Sequence, residues 1–260
     1  MSEPAQPPKS RPEVARSVLL AFTLLEAVAE LQPVSLGDLS RQLKSPKSTI
    51  LRSLRTLRAA GYIYQDPAGA HWSLTLRCLR LADAATSSLG LASAARPVME
   101  ALSMATEEGI HLSVLECDAA IVVEKVDGRR AVRAHTARGE RLPIHASSSG
   151  KVFLSSMSER EVEGLLPVRL ERFTETTITT VDALREELEQ VRRAGYATND
   201  GERRIDVLGV AAPIRDSSGS VVAAIGVSFP RERLKSVIDF QRIVRECQAA
   251  ADEISGRMGG

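Results

Sequence analysis

Apolar residues recur at helical spacing three times within the first sixty positions. From Glu13 to about Leu31, Val14, Val18, Ala21, Leu25 and Val28 share one side of a long helix, which Gln32-Pro33-Val34 ends. A second stripe, Leu36, Leu39 and Leu43, follows Ser35, which is placed to cap a short helix with Asp38 as its capping-box partner. Lys44-Ser45-Pro46 breaks that helix. Ser45 is expected to cap the next one, with Pro46 at its first position, where a missing N–H costs little. The third helix turns Ile50, Leu54 and Leu57 inward and stops at Gly61, a natural left-handed cap. The period then changes to alternation. Tyr62-Ile63-Tyr64-Gln65 and His71-Trp72-Ser73-Leu74 read as short strands around the turn chemistry of Asp66 to Ala70.

Further along, Leu76 to Leu89 is helical again, with Leu79, Leu81, Ala82 and Ala85 on its apolar side and Gly90 as a break. It reads as a connector and a candidate dimer contact. Ala92 to Glu107 is another amphipathic helix, carrying Val98, Leu102 and Ala105 at helical spacing. Ile110 to Leu115, Ala120 to Val126 and Ala131 to Ala134 alternate as strands, with Cys117-Asp118 in a turn. Gly139 to Lys151 is less regular, and helical stretches follow at Lys151 to Met157 and Glu159 to Leu166. The Thr-rich run Phe173 to Thr180 reads as loop, Val181 to Ala194 as a helix capped at Gly195, and Tyr196 to Asp206 as irregular or extended chain. Val207 to Ile214 and Ser220 to Ser228 form a hairpin apolar on both faces, hence central to its sheet. Pro230 opens a terminal helix over about Arg231 to Ser255. Four regions result: a disordered tail (1–12), a helical unit with a hairpin (13–75), a linker helix (76–90) and an α+β domain (91–260) whose antiparallel sheet is flanked by helices.

Composition narrows the classes. The 34 Lys and Arg nearly balance the 33 Asp and Glu, so the whole chain is no polycation. Cys78, Cys117 and Cys247 form neither a disulfide framework nor a zinc knuckle; buried thiols in a reducing, cytoplasmic setting are expected. No apolar run reaches the roughly 18 residues of a membrane span. The apolar run Val18 to Leu25 is followed too soon by Glu26 and Glu30 to be a signal peptide. Charge is local instead. Between Asp38 and Asp66 there is no acid, while Arg41, Lys44, Lys47, Arg52, Arg55 and Arg58 all fall there. Two helices with a short break, the second basic and hydroxyl-rich, suit a helix-turn-helix whose second helix enters the major groove. A helical hairpin with a solvated basic face fits the pattern about equally well. The hairpin that follows makes the winged variety. Lys47, Ser48, Thr49, Arg52, Ser53 and Arg55 are the DNA-binding candidates.

Several separated motifs then carry a family resemblance. Ser48-Thr49, Arg52, Leu54, Leu57 and Gly61-Tyr62-Ile63 come first; Arg141-Leu142-Pro143-Ile144-His145-Ala146 and Gly150-Lys151 follow. Later come Gly195-Tyr196-Ala197, Asp200, Glu202, Val210-Ala211-Ala212-Pro213-Ile214 and Gly219 to Ile225. In this order they resemble the IclR family of bacterial transcription regulators, from Glu13 to about Leu234. The resemblance implies a winged helix-turn-helix joined by a linker helix to a GAF-like effector domain. It further implies homodimers, often paired into tetramers, that bind double-stranded operator DNA near catabolic genes and respond to small organic acids or aromatic compounds. Leu51 and Asp206 depart from the family pattern, at the recognition helix and before the Ala211-Ala212-Pro213 strand respectively.

Chemistry marks the effector site independently at Ser147-Ser148-Ser149-Gly150. These residues open a helix expected to begin near Lys151, where unpaired N–H groups and hydroxyls favour a carboxylate. Plain serine capping is the alternative. The resemblance places effector contacts at Ser148 and Ser149 as well, and implies others at Asn199, Gly209, Gly226 and Ser228. Glycines at 209 and 226 on the sheet side suggest room for more than a two-carbon acid. Gly150-Lys151 lacks the other residues of a phosphate loop, the four histidines lack metal-ligand spacing, and no nucleophile–base pair is evident. Catalytic residues, metal and cofactor are therefore expected to be absent. His145 reads as structural, Trp72 as hairpin-to-helix packing, and Glu202 as either pocket-lining or a partly solvated loop carboxylate. A carboxylate-binding enzyme with a non-regulatory first domain, and a structural DNA binder without ligand, are the competing functions.

Overall fold

The computed structural model describes residues 15–86, 90–131, 134, 136–167, 169–234 and 236–259. The tail expected at 1–12 and part of the strand expected at Ala131 to Ala134 lie outside the described residues. The chain divides into two compact units, Met1–Ser88 and Leu89–Gly260.

The first unit runs α1 (Arg16–Leu31), β1 (Val34–Ser35), α2 (Leu36–Gln42), α3 (Lys47–Ala59), β2 (Ile63–Gln65), β3 (His71–Leu74) and α4 (Arg77–Thr86). Its core gathers Leu24 and Val28 of α1, Leu39 of α2, and Ile50, Leu54 and Leu57 of α3 around Trp72, which is 1% exposed. The indole thus fastens the hairpin to the helices. Of the stripe expected on α1, Val28 is buried and Ala21 and Leu25 pack against the core, but Val18 is exposed, with Leu19 and Phe22, and Leu24 and Ala27 complete the buried side. Ser35 caps α2 as expected, accepting from Asp38 N–H at 3.2 Å and donating to its carboxylate at 2.6 Å. Ser45 does not cap α3. Its hydroxyl donates to Leu43 O at 3.1 Å, and extended Pro46 is the N-cap. Gly61, at φ +81°, closes α3 with a Schellman pair: Tyr62 N–H to Leu57 O and Gly61 N–H to Arg58 O. In the hairpin turn, Asp66 accepts from Ala70 and His71 N–H. Two-residue β1 was not expected. It pairs with β3 to give the order β1-β3-β2.

The second unit runs α5 (Leu91–Thr106), β4 (Gly109–Glu116), β5 (Ala119–Val126), β6 (Arg141–Pro143), α6 (Ser148–Ser155), α7 (Glu159–Leu165), α8 (Val181–Ala194), β7 (Ala197–Asp200), β8 (Val207–Arg215), β9 (Val221–Pro230) and α9 (Val237–Gly259). The strands form one antiparallel sheet in the order β6-β5-β4-β9-β8-β7, with the apolar hairpin β8–β9 inside it. Alternation along the strands separates its faces. Ile110, Leu112, Leu208, Val210, Ile225, Val227 and Phe229 pack with α5 and α9. The opposite set, including Ala120, Val122, Ala197, Ala211 and Ala224, packs with Val152 and Phe153 of α6.

Four readings change here. Ala105 is exposed, and α5 buries Met99 and Thr106 instead. The irregular segments contain β6 and β7. The terminal helix begins at Val237, after a 3-10 turn over Arg231–Arg233. Cys247 is buried, its thiol pushed up to about 12 by burial, whereas Cys78 is half-buried and Cys117 exposed.

Candidate nucleic-acid interface and ligand cavity

The exposed side of α3 follows from its buried side. With Ile50, Leu54 and Leu57 turned inward, Ser48, Arg52 and Arg55 stand opposite and are exposed; Lys47 is exposed at the first turn. Thr49 and Ser53 are half-buried on the flank facing α1. There, with Arg16, Ser17, Val18 and Arg52, they line an open groove of about 1100 Å³ counted to its mouth. Leu51 is half-buried against the core on the other flank. The six candidates therefore share one accessible helix and its groove, with no carboxylate on that helix.

In the second unit, antiparallel register sets two rows of small and polar residues side by side on the α6 face. Gly109, Ser228, Gly209 and Asn199 form one row across β4, β9, β8 and β7; His111, Gly226, Ala211 and Ala197 form the next. The first turn of α6 lies against these rows. The helix starts at Ser148, three residues earlier than expected. Ser147 is its N-cap: its hydroxyl accepts from Gly150 N–H at 3.1 Å and donates to Pro143 O at 2.7 Å. A cavity of about 480 Å³, counted to its mouth, opens between this helix terminus and the sheet. Ser148, Asn199, Gly209 and Ser228 line it, as four of the seven expected residues.

The other three are not on the lining. A β-carbon at Gly150 would stand 2.2 Å from Ile144 O, so this glycine seats the helix on the preceding turn. A β-carbon at Gly226 would stand 2.4 Å from His111 Nε2, so this glycine makes room for an imidazole rather than for a ligand. Ser149 is fully buried beside that ring, 3.1 Å from Nε2. Gly226 therefore does not widen the pocket, and Gly209 lies against Ser148, where a β-carbon would stand 3.1 Å from the hydroxyl.

Sequence reading missed His111, Thr136, Arg203 and Arg204, all of which line the cavity. His111 is 3% exposed, and its Nδ1 has no partner among the described residues. Burial holds its pKa down to about 4, so the ring is neutral at pH 7. Because the folded value lies below the ordinary 6.5, the unfolded chain binds the extra proton first. Stability is therefore lost as pH falls from about 6.5 toward 4. At pH 5 the ring should cost about 2 kcal/mol relative to pH 7. Urea unfolding at the two pH values checks this, and His111→Asn should remove most of the difference.

Glu202 is neither on the lining nor solvated. It is buried, with Oε1 accepting from Lys151 Nζ at 2.6 Å; the same ammonium reaches Glu187 at 2.9 Å. Glu202 N–H donates to Asn199 Oδ1 at 2.8 Å, so this buried group orients a cavity residue. His145 is structural as read, with Nε2 2.9 Å from Glu171 O and the ring stacked on Phe173. Among the described residues no cluster of His, Cys, Asp or Glu is arranged to hold a metal ion. No helix there is long and apolar enough to cross a membrane.

A winged helix-turn-helix followed by an α+β unit with an antiparallel sheet defines a class of DNA-binding transcription regulator. The comparisons name it. Residues 83–256 match the family described as bacterial transcriptional regulator IclR C-terminal, and residues 17–67 match the IclR helix-turn-helix domain. The chain belongs to the IclR family, which is a family of transcription regulators and not of enzymes. It is 34% identical over 250 residues to the transcriptional regulator KdgR of Escherichia coli, covering 96% of this chain and 95% of that one. A transcriptional regulator of a Rhodococcus species superimposes with a TM-score of 0.77 at 30% identity, over 94% of this chain and 98% of that one. An IclR homologue of Microbacterium hydrocarbonoxydans, crystallised with 4-hydroxybenzoate, superimposes with a TM-score of 0.74 at 28% identity, over 92% and 97% of the two chains.

Proposed function

We propose that residues 13–75 bind operator DNA through α3, that residues 91–260 bind a small organic acid or aromatic effector, and that the segment 76–90 links the two events in a homodimer or dimer of dimers controlling catabolic genes. The observation that carries the effector half is the open cavity on which a helix N-terminus, Ser148, Asn199 and Ser228 converge. The homologue bound to 4-hydroxybenzoate supports it. The mechanism is a coupling free energy. An acid that binds one arrangement of the second unit more tightly shifts the population, and half-site spacing on DNA converts that shift into affinity.

A thermal-shift screen of aliphatic and aromatic acids, 4-hydroxybenzoate included, tests the reading, with hits repeated in gel shifts on the adjacent intergenic DNA. A hit that leaves DNA affinity unchanged counts against coupling. On the DNA side, Arg52→Ala should weaken operator binding about 10–100-fold, the worth of one good base-edge or phosphate contact. The thermal shift produced by an effector should be unaltered. Unchanged gel-shift affinity would remove Arg52 from the interface.

A further inference from the structure

We propose that Arg203 is a carboxylate-binding residue of this cavity and that the chain fills its anion position with its own Glu140, which an effector carboxylate displaces. The proposal rests on the effector reading above for its consequence, not for where the anion binds.

The cavity's charge is lopsided. Arg203 and Arg204 both line it, from the loop after β7, and among the described lining residues there is no Asp or Glu. A carboxylate from a different segment stands against both of them. Glu140 Oε1 accepts from Arg203 Nη2 at 2.8 Å and lies 3.9 Å from Arg204 Nη2. Both partners of the shorter pair are largely shielded, with side chains 26% and 18% exposed. Glu140 sits just before β6, on the segment that also gives Ala134 and Thr136 to the lining. The pair therefore ties two stretches of the cavity wall together.

It is also an incomplete pair. The second oxygen of Glu140 accepts from Ala137 N–H at 2.8 Å, so the carboxylate offers the guanidinium one oxygen while the other is tethered to its own loop. Arginine's planar fork is built for two parallel hydrogen bonds to one carboxylate. An untethered carboxylate can present both oxygens, and so has a geometric advantage over the internal one. Its other end can then reach Ser148, Asn199 and Ser228. The ligand class that follows is an organic anion with a hydrogen-bonding group at the end away from the carboxylate.

The test is chemical rescue in the full chain, with acetate as the probe and acetamide as the neutral control. Glu140→Ala vacates the anion position. Acetate should then raise the melting temperature of that variant by about 2–4 °C, the effect of roughly 1 kcal/mol of binding in a domain of this size. Acetamide should not, wild type should respond less, and Glu140→Ala combined with Arg203→Ala should lose the rise. Glu140→Gln retains the bond from Ala137 N–H, and it should show the same preference for acetate if truncation unsettles the loop. Equal responses to acetate and acetamide, or a rise that survives loss of Arg203, would overturn the proposal. A gel shift on the same samples separates the two readings. Acetate binding that depends on Arg203 but leaves operator affinity unchanged keeps the anion position and sinks its regulatory use.

Discussion

Replacing Gly150 with Ala is expected to destabilise the second unit by about 3 kcal/mol, at the upper end for overpacking a close-packed site. The new methyl would stand 2.2, 2.5 and 2.6 Å from the O, Cα and C atoms of Ile144. All three are backbone, so no rotamer change relieves the clash. The turn from Pro143 to Ser147 would have to move, and it is held by the Ser147 hydroxyl at both Pro143 O and Gly150 N–H. A loss of this size corresponds to a drop of about 6–12 °C in melting temperature for a domain of 150–250 residues. Calorimetry on the full chain measures it. Gly164, in α7, is the control: beyond its own helix backbone, no heavy atom lies within 4 Å of its would-be β-carbon, so Gly164→Ala should stabilise by up to about 1 kcal/mol through helix propensity alone. If both substitutions have similar small effects, the close approach of α6 to its preceding turn is wrong.

The same glycine shows where sequence reading stops. In the first unit nearly every element was legible, because each boundary is a local event: a serine three residues before an aspartate, a glycine after an apolar stripe, an aspartate at a hairpin turn. Where two local signals competed, reading faltered. Val18, Leu19 and Phe22 offer α1 a second apolar side, and periodicity cannot tell which side meets the core. Ser147, Ser148 and Ser149 are all competent N-caps. Ser147 takes the role because Pro143 O lies within reach of its hydroxyl, a contact the serine run itself does not encode.

The cavity was legible only in part, for a related reason. The α6 terminus was legible from its serine run and glycine, whereas Asn199, Gly209 and Ser228 came from motif resemblance, which preserves order along the chain. Which of these face one another is a matter of strand register. His111 could have been suspected, since it alternates with Ile110 and Leu112 in a strand whose two faces are both covered. Arg203 and Glu140 are 63 positions apart and meet through two irregular segments, where periodicity carries no signal. Glycine at 226 looked like space for a ligand. It is space for His111, and the distinction requires knowing what lies on the neighbouring strand.

The buried ammonium of Lys151 carries the other large expected effect. Lys151→Met should cost about 3–5 kcal/mol at pH 7, the usual penalty for removing one member of a buried ion pair. The lysine is 1% exposed and satisfies Glu202, itself 6% exposed, as well as the more solvated Glu187. Without the cation, Glu202 would keep its burial, which already raises its carboxyl above the usual range. The pH dependence follows from the sign of that shift. In the variant the folded state holds a proton on Glu202 at pH values where the unfolded state has released it. The contribution of Glu202 should therefore rise as pH falls toward the ordinary carboxylate range, and, because the loss at His111 is common to both proteins, the deficit against wild type should narrow. Glu202→Gln added to Lys151→Met removes the stranded charge and should recover much of the loss. The Glu202 backbone N–H still reaches Asn199 Oδ1 in that double variant, so the orientation of a cavity residue is retained along with the fold. Urea unfolding of the three proteins between pH 5 and pH 7 decides the matter. A deficit that stays constant with pH and persists in the double variant would mean that Lys151 acts by filling volume, not by charge.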